Sequence, residues 1–211
     1  MLKIHILGGP GSGKTTLGEA ISARFHIPHH DLDKLGWKNG KRHAAYVEDA
    51  FAIAEQPGWV TEGIGLIWVD PLLYQADHIV LLEVSWPVAA WRIIRRHISK
   101  SLRGINPYPT KQLIPFLKDT RRYYLNKARS DIYTSTADAA EYLEECSDIV
   151  EPPEPERLLM YLEKYRVYIP PSAEFVRLYL EKYKEKVFVV RNNADRERLL
   201  ELLTMSDSGS K

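Results

Sequence analysis

Two hydrophobic periods alternate along this chain. Leu2-Lys3-Ile4-His5-Ile6-Leu7 is a β-leaning run, and Leu17, Ala20, Ile21 and Phe25 then recur at helical spacing. His26-Ile27-Pro28-His29-His30 reads as a short second strand, and a helix is expected from about Ala44 to Gln56, closed by Pro57-Gly58. Trp59-Val60-Thr61 reads as a third strand ending at Glu62-Gly63. Asp70-Pro71 opens a short helix with Leu72, Leu73 and Ala76, leading to the clearest buried strand, His78 to Val84. Pro87 opens a helix carrying Val88, Ala89, Trp91, Ile93 and Ile94; Val187-Phe188-Val189-Val190 is the last strand, and a helix capped near Asn193 runs through Leu203. Strands alternating with helices imply right-handed crossovers and a five-stranded parallel sheet, an α/β fold.

Between Gly104 and about Pro171 the pattern is mixed. Gly104 to Pro109 is a loop, the segment through Arg129 is helical and basic, and Glu151-Pro152-Pro153-Glu154-Pro155-Glu156 is a stiff acidic connector. Leucines and tyrosines recur at helical intervals over 157–168 and 172–183, a pattern of core or subunit contact that leaves a homodimer open. The expected organisation is one domain over 1–205, with an insertion over about 97–135, a helical extension over about 136–185 and a disordered tail over 206–211.

Lysine plus arginine (29) nearly cancels aspartate plus glutamate (28), so the chain lacks the overall basic excess of a dedicated nucleic-acid binder, and any cationic site is local. The single cysteine, Cys146, has no partner for an internal disulfide and no metal-ligand spacing around it. No run approaches the roughly 20 apolar residues of a membrane helix, and Met1-Leu2-Lys3 enters the first strand without a signal-like segment. These features suit a cytoplasmic protein with no membrane partner.

The chemistry concentrates where the first strand meets the first helix. Gly8-Gly9-Pro10-Gly11-Ser12-Gly13-Lys14-Thr15 fits G-x-x-x-x-G-K-[ST] at every required position, in the strand-loop-helix setting in which such a loop works. Its glycines let successive N–H groups turn inward at the positive end of a helix dipole, a cradle for polyphosphate. Lys14 would reach the β- and γ-phosphates and the Thr15 hydroxyl would ligate Mg²⁺. Gly9, Gly11, Ser12, Gly13, Lys14, Thr15 and Thr16 are the nucleotide-binding candidates here. Histidines 26, 29 and 30 are irregularly spaced and read as strand-end packing rather than a metal site.

The pattern resembles the nucleoside-monophosphate-kinase-like branch of P-loop proteins, which includes adenylate and shikimate kinases. Within it the similarity is closest to the small bacterial group labelled DNA-topology-modulation proteins. The resemblance rests on GGPGSGKTT, on Asp31-Leu32-Asp33, on Trp59-Val60-Thr61-Glu62-Gly63, and on Leu82-Glu83-Val84 followed by Trp91-Arg92-Ile93-Ile94-Arg95-Arg96. It covers residues 1 to about 130. It implies a three-layer α/β/α P-loop NTPase with a helical lid insertion, and an ATP-dependent, Mg²⁺-requiring kinase acting on a small nucleoside- or nucleotide-like molecule.

The resemblance also assigns roles. Arg92 and Arg96, sharing a helical face at i and i+4, match the lid arginines that stack on adenine and hold the triphosphate; the alternative is a solvated basic face. Glu62 matches a strand-end carboxylate ordering the water shell of Mg²⁺, or else caps a turn. Asp31 and Asp33, alternate residues on a strand, match the aspartate pair touching acceptor and metal, with Asp33 as acceptor ligand or base; capping of the next helix is the alternative. Arg121, Arg122 and Arg129 are candidates for returning lid arginines, or solvated surface. The implied catalytic set is Lys14, Asp33, Arg96 and Arg122, and the implied metal set Thr15, Glu62 and Asp31.

One departure stands out. Where adenylate kinases carry an arginine for the acceptor's phosphate, this chain has Ile64-Gly65-Leu66-Ile67-Trp68. Lys38, Lys41 or Arg42 could substitute, and Trp37 and Trp68 could wall a ring. The second reading is an ATP-binding regulator that contacts DNA through the cations between Arg92 and Arg129, with nucleotide as a switch.

Overall fold

A computed structural model describes residues 1–38, 43–127, 136–146 and 151–209, without the side chains of 36–38, 136, 208 and 209. The Trp37 and Lys38 side chains and residues Lys41, Arg42 and Arg129 therefore lie outside the described part. Five strands, β1 (Lys3–Gly8), β2 (His29–Asp31), β3 (Trp59–Glu62), β4 (His78–Leu82) and β5 (Val187–Val190), form one all-parallel sheet in the order β2-β3-β1-β4-β5. The helices are α1 (Lys14–Phe25), α2 (Leu32–Lys38), α3 (His43–Ala54), α4 (Asp70–Gln75), α5 (Trp86–Leu102), α6 (Leu113–Tyr124), α7 (Thr136–Cys146), α8 (Pro155–Tyr165), α9 (Ala173–Leu180) and α10 (Asn193–Gly209).

Strand alternation splits the core into two layers. Ile4 and Ile6 pack with Leu17 and Ile21 of α1 and Leu199 and Leu203 of α10 on one face of the sheet. Leu7, Trp59 and Ile79 join the core built with α3, α4, α7, α8 and α9 on the other. The result is the three-layer α/β/α arrangement of a P-loop kinase fold. The leucines and tyrosines of the C-terminal half find their partners within the chain: Leu158, Leu162, Tyr165, Phe175, Val176, Tyr179 and Tyr183 are buried in that second layer.

Several boundaries differ from the sequence reading for local reasons. His26 adopts a left-handed conformation (φ 55°) and ends α1, and Pro28 has no N–H to give, so β2 begins only at His29. Pro28 still contributes its carbonyl, which accepts from Val60 N–H at 2.8 Å. Asp31 ends β2 and Asp33 sits in the first turn of α2, so the two do not alternate along one strand. The basic helix expected through Arg129 stops at Tyr124, followed by Asn126 at φ 53°. Pro155 opens α8 instead of stiffening a connector, a position where its missing N–H costs nothing. Finally, α10 runs to Gly209 and takes in residues assigned to a disordered tail. The Ser206 hydroxyl bonds Leu202 O at 3.1 Å and meets His78 Nε2 at 3.2 Å, which ties the last turns to β4. Ser210 and Lys211 lie outside the described residues. No described helix is long and apolar enough to cross a membrane.

Candidate active site

All five strands end on the same edge, and the glycine-rich loop rises there between β1 and α1. Gly11 (φ 80°) and Gly13 (φ 102°) hold left-handed backbone that L side chains rarely adopt, and a Cβ on Gly11 would lie 2.7 Å from Ala89 O. Gly13 is the N-cap of α1 and offers no side-chain cap, so the helix's first amides are left for another acceptor. Lys14 is folded beneath the loop, 9% exposed, with Nζ donating to Gly8 O at 2.7 Å.

Three carboxylates act on that ammonium through their charge. Asp31 and Glu62 are register partners at the ends of β2 and β3, and Ile6 of β1 is the next partner of Glu62. Asp33 reaches the same space from α2. Burial lowers the Lys14 pKa, while Asp33, Glu62 and Asp31 oppose that shift and Arg96 adds to it. Asp33 is solvent-exposed at the cleft mouth yet crowded by protein; desolvation raises its carboxyl, with Lys14 opposing. Glu62 is 3% exposed and is also raised by burial, partly offset by a hydrogen bond from Thr15 and by the Lys14 charge. The Lys14 ammonium thus feels the charges of three acids and of Arg96 in opposite senses.

Among the described residues, the buried side-chain polar atoms with no hydrogen-bond partner are His5 Nε2, Ser12 Oγ, His29 Nε2, Trp59 Nε1 and Glu62 Oε1. Ser12 Oγ and Glu62 Oε1 sit on the loop and beside Thr15, and His29 Nε2 lies 3.9 Å from Glu62 Oε1. Burial lowers the His29 pKa, so the imidazole stays neutral. Buried polar atoms are nearly always paired, so Ser12 Oγ and Glu62 Oε1 keep capacity for a further partner at the loop. A polyphosphate fits the inward amides, Ser12 and Lys14. A hard cation that keeps most of its waters fits Thr15 and Glu62, although no group of three or more His, Cys, Asp or Glu able to hold a metal occurs among the described residues.

No family model matches the chain. A curated relative, the uncharacterized protein YqaC of Bacillus subtilis (strain 168), is 28% identical over 102 residues, covering 46% of this chain and 57% of that protein. The chain thus spans little more than half the length of that relative. Among solved structures, a shikimate kinase from Acinetobacter baumannii in complex with shikimate is matched over 99% of this chain and 95% of its own at 15% identity, with a TM-score of 0.43. A gluconokinase from Sinorhizobium meliloti 1021 is matched over 87% and 97% at 18% identity and TM-score 0.40. At such identities the functional reading rests on this chain's own residues.

Not every candidate sits where the sequence suggested. Asp31 is turned to Lys34, with Nζ 2.9 Å from Oδ2. Thr16 is exposed on the outer side of α1, and Arg121 and Arg122 are exposed in the last turn of α6. Arg92 points at the loop itself, its Nη1 donating to Ser12 O at 2.7 Å and Gly11 O at 3.4 Å. Trp68 is 7% exposed and packs on Tyr46, with ring centroids 5.0 Å apart, so it belongs to the core rather than to a cleft wall. Leu66 and Ile67 beside it are fully buried, held by Tyr168 O and the Tyr179 hydroxyl.

Sequence reasoning passed over Tyr123 and Tyr124. Tyr124 donates its hydroxyl to Pro10 O at 3.0 Å, and a Cβ on Gly9 would lie 2.5 Å from the Tyr123 ring and 2.8 Å from that of Tyr124. Both contacts span more than 110 residues, and no local periodicity announces them.

Proposed function

We propose that this protein is an ATP-binding, Mg²⁺-dependent small-molecule kinase that transfers a phosphoryl group to an acceptor held near Asp33. The observation that carries the reading is the unpartnered, 4% exposed Ser12 Oγ on a glycine loop closed over a buried lysine. In this reading the amides of Gly11 and of residues 13–16, with the Ser12 hydroxyl, bind the phosphates, and Lys14 exchanges its bond to Gly8 O for phosphate oxygens. Thr15 and Glu62 hold the hydrated metal, with Asp31 available on the same edge once released from Lys34. When bound, Mg²⁺ supplies neutralisation of phosphate charge and fixes the orientation of the transferring group.

Asp33 is the group proposed to accept the acceptor's hydroxyl proton. Its raised pKa makes it a better base than an ordinary carboxylate, and in phosphoryl transfer the base chiefly orients the nucleophile. Arg96 of α5, within electrostatic reach of Lys14, and Arg122 of α6 are proposed to spread developing charge over the phosphoryl oxygens. The segment Leu66-Ile67-Trp68 is buried in the core and carries no cation in place of a phosphate-gripping arginine, so a hydroxyl acceptor is favoured over a monophosphate.

A screen of nucleosides, nucleoside monophosphates and small hydroxylated metabolites with ATP and Mg²⁺ tests this reading. Phosphoryl transfer that vanishes in Lys14→Ala supports it; equal turnover in Lys14→Ala refutes it. The DNA-contacting regulator draws only on the cations of α5 and α6, and salt-independent, negligible DNA binding would remove it.

A further inference from the structure

The glycine loop is gripped from outside. Three consecutive carbonyls, those of Pro10, Gly11 and Ser12, each accept a hydrogen bond from α5 or α6. The Tyr124 hydroxyl donates to Pro10 O at 3.0 Å, and Arg92 Nη1 donates to Gly11 O at 3.4 Å and Ser12 O at 2.7 Å. Behind them, Ala89 O and Ile93 stand against Gly11, and the Tyr123 and Tyr124 rings close over Gly9 at distances no side chain on those glycines would permit. Burial keeps the Tyr124 phenol protonated far above neutral pH, so it serves as a constant donor.

The geometry has a definite consequence for the inner side. A peptide plane carries its C=O and the next N–H on opposite edges. Fixing the carbonyls of residues 10 and 12 outward therefore turns the N–H groups of Gly11 and Gly13 inward, while the Ser12 N–H is taken by Gly9 O at 3.1 Å in a turn of the loop itself. A free glycine-rich loop samples many other arrangements, since glycine loses more conformational freedom on ordering than any other residue. A loop already fixed has less entropy to lose when an anion arrives.

We propose that Arg92 and Tyr124 are positioning residues that hold the phosphate loop in its anion-receiving shape through its outer carbonyls, without touching the ligand. The inference rests on the loop being a phosphate seat, and it changes the role that family resemblance gives Arg92, from contact with the nucleotide to support of the backbone that binds it. It also makes α5 and α6 part of the nucleotide site: movement of either helix away from the sheet releases the carbonyls and loosens the cradle.

The test measures affinity for two probes, a non-hydrolysable ATP analogue with Mg²⁺ and inorganic tripolyphosphate with Mg²⁺, by calorimetry. The variants are Tyr124→Phe, Arg92→Ala and Arg92→Lys, each checked for an unchanged thermal midpoint. Loss of one neutral hydrogen bond in Tyr124→Phe is expected to weaken both probes about 3- to 10-fold, and loss of the charged donor in Arg92→Ala about 10- to 50-fold. Both probes should weaken by the same factor, because the damage is to the amides and not to a contact with the ring. In unliganded protein, the amide resonances of Gly11 to Gly13 should shift in Tyr124→Phe, a change that a purely stabilising role elsewhere would not produce. Tyr124→Phe binding both probes as tightly as wild type, or Arg92→Ala losing the ATP analogue while keeping tripolyphosphate, would overturn the proposal. Wild-type protein that binds neither probe would instead overturn the reading of the loop as a phosphate seat.

Discussion

Two buried polar clusters in this protein are built in opposite ways. Around Lys14, acids and amides crowd together with Ser12 Oγ and Glu62 Oε1 left unpartnered, and burial shifts Lys14, Asp33 and Glu62 toward their neutral forms. Around Asp70, on the other face of the sheet, every group has a partner. The Tyr179 hydroxyl donates to the Asp70 carboxylate and accepts Ile67 N–H at 3.0 Å, and Lys182 Nζ lies 3.3 Å from Asp70 Oδ2 and 5.1 Å from the Tyr179 ring centroid. That closed cluster supports a strained turn: Ile67 is β-branched at φ 65°, with Trp68 N–H bonded back to Leu66 O at 2.7 Å. Such a conformation costs on the order of 1–3 kcal/mol and persists only where surrounding contacts enforce it. The difference separates two uses of buried polarity. A satisfied cluster stabilises the fold, and an unsatisfied one holds capacity for a ligand.

If that distinction is right, damage to the first cluster costs activity with little loss of stability, and damage to the second does the reverse. The largest effect belongs to Lys14→Ala, which should lower any ATP-dependent transfer by about 100-fold or more, since the charge it supplies acts in a water-poor site. Its thermal midpoint should be unchanged or higher, because a lysine held with a lowered pKa is a burden on the fold. Next comes Asp70→Ala, which leaves Lys182 and the Tyr179 hydroxyl without their carboxylate. Removing one member of a buried ion pair costs about 3–5 kcal/mol, readable as a fall in the urea midpoint, while ATP-analogue affinity of the folded protein stays near wild type. An Asp70→Ala protein as stable as wild type would erase the contrast.

A smaller effect is expected from pH. His5 is fully buried, with Nδ1 2.7 Å from Thr61 Oγ1, and burial, helped by the Lys14 charge, pushes its pKa down to about 3. A base with a depressed folded pKa favours folding fully above its unfolded pKa and loses that contribution as pH falls. Wild-type stability should therefore drop between pH 7 and pH 5 by about 2 kcal/mol on account of His5, and His5→Gln should flatten that slope. The smallest effect is Glu62→Gln. The Glu62 carboxyl is raised, so its ionised form weighs against folding as pH rises through the shifted value. At pH 7 the variant should be at least as stable as wild type while losing Mg²⁺-dependent activity.

The chain's own pattern disclosed some of this more readily than the rest. The strand, loop and first helix are readable because one contiguous segment, Leu2 to Phe25, carries both periodicity and motif. That Asp31 and Glu62 lie at one end of the sheet is also readable, because parallel strands end on one edge. Asp33 was misplaced onto a strand because a three-residue β2 leaves no period to count, and Leu32 already belongs to the helix. The grip of Arg92 and Tyr124 on the loop was hidden for a different reason. It joins residues at least 80 positions apart, and a hydrogen bond to a backbone carbonyl leaves no signature in the acceptor's identity. The Asp70–Tyr179–Lys182 cluster was invisible on the same grounds, with tyrosines at helical spacing reading only as core.

The most direct measurement of the central claim is a crystal structure of the protein grown with a non-hydrolysable ATP analogue and Mg²⁺. The expected result is a triphosphate lying under the amides of Gly11 and residues 13–16, Ser12 Oγ bonded to it, Lys14 Nζ moved from Gly8 O onto phosphate oxygens, and the metal beside Thr15 and Glu62. A loop empty at saturating analogue, with Lys14 still bonded to Gly8 O and Ser12 Oγ still without a partner, would contradict it.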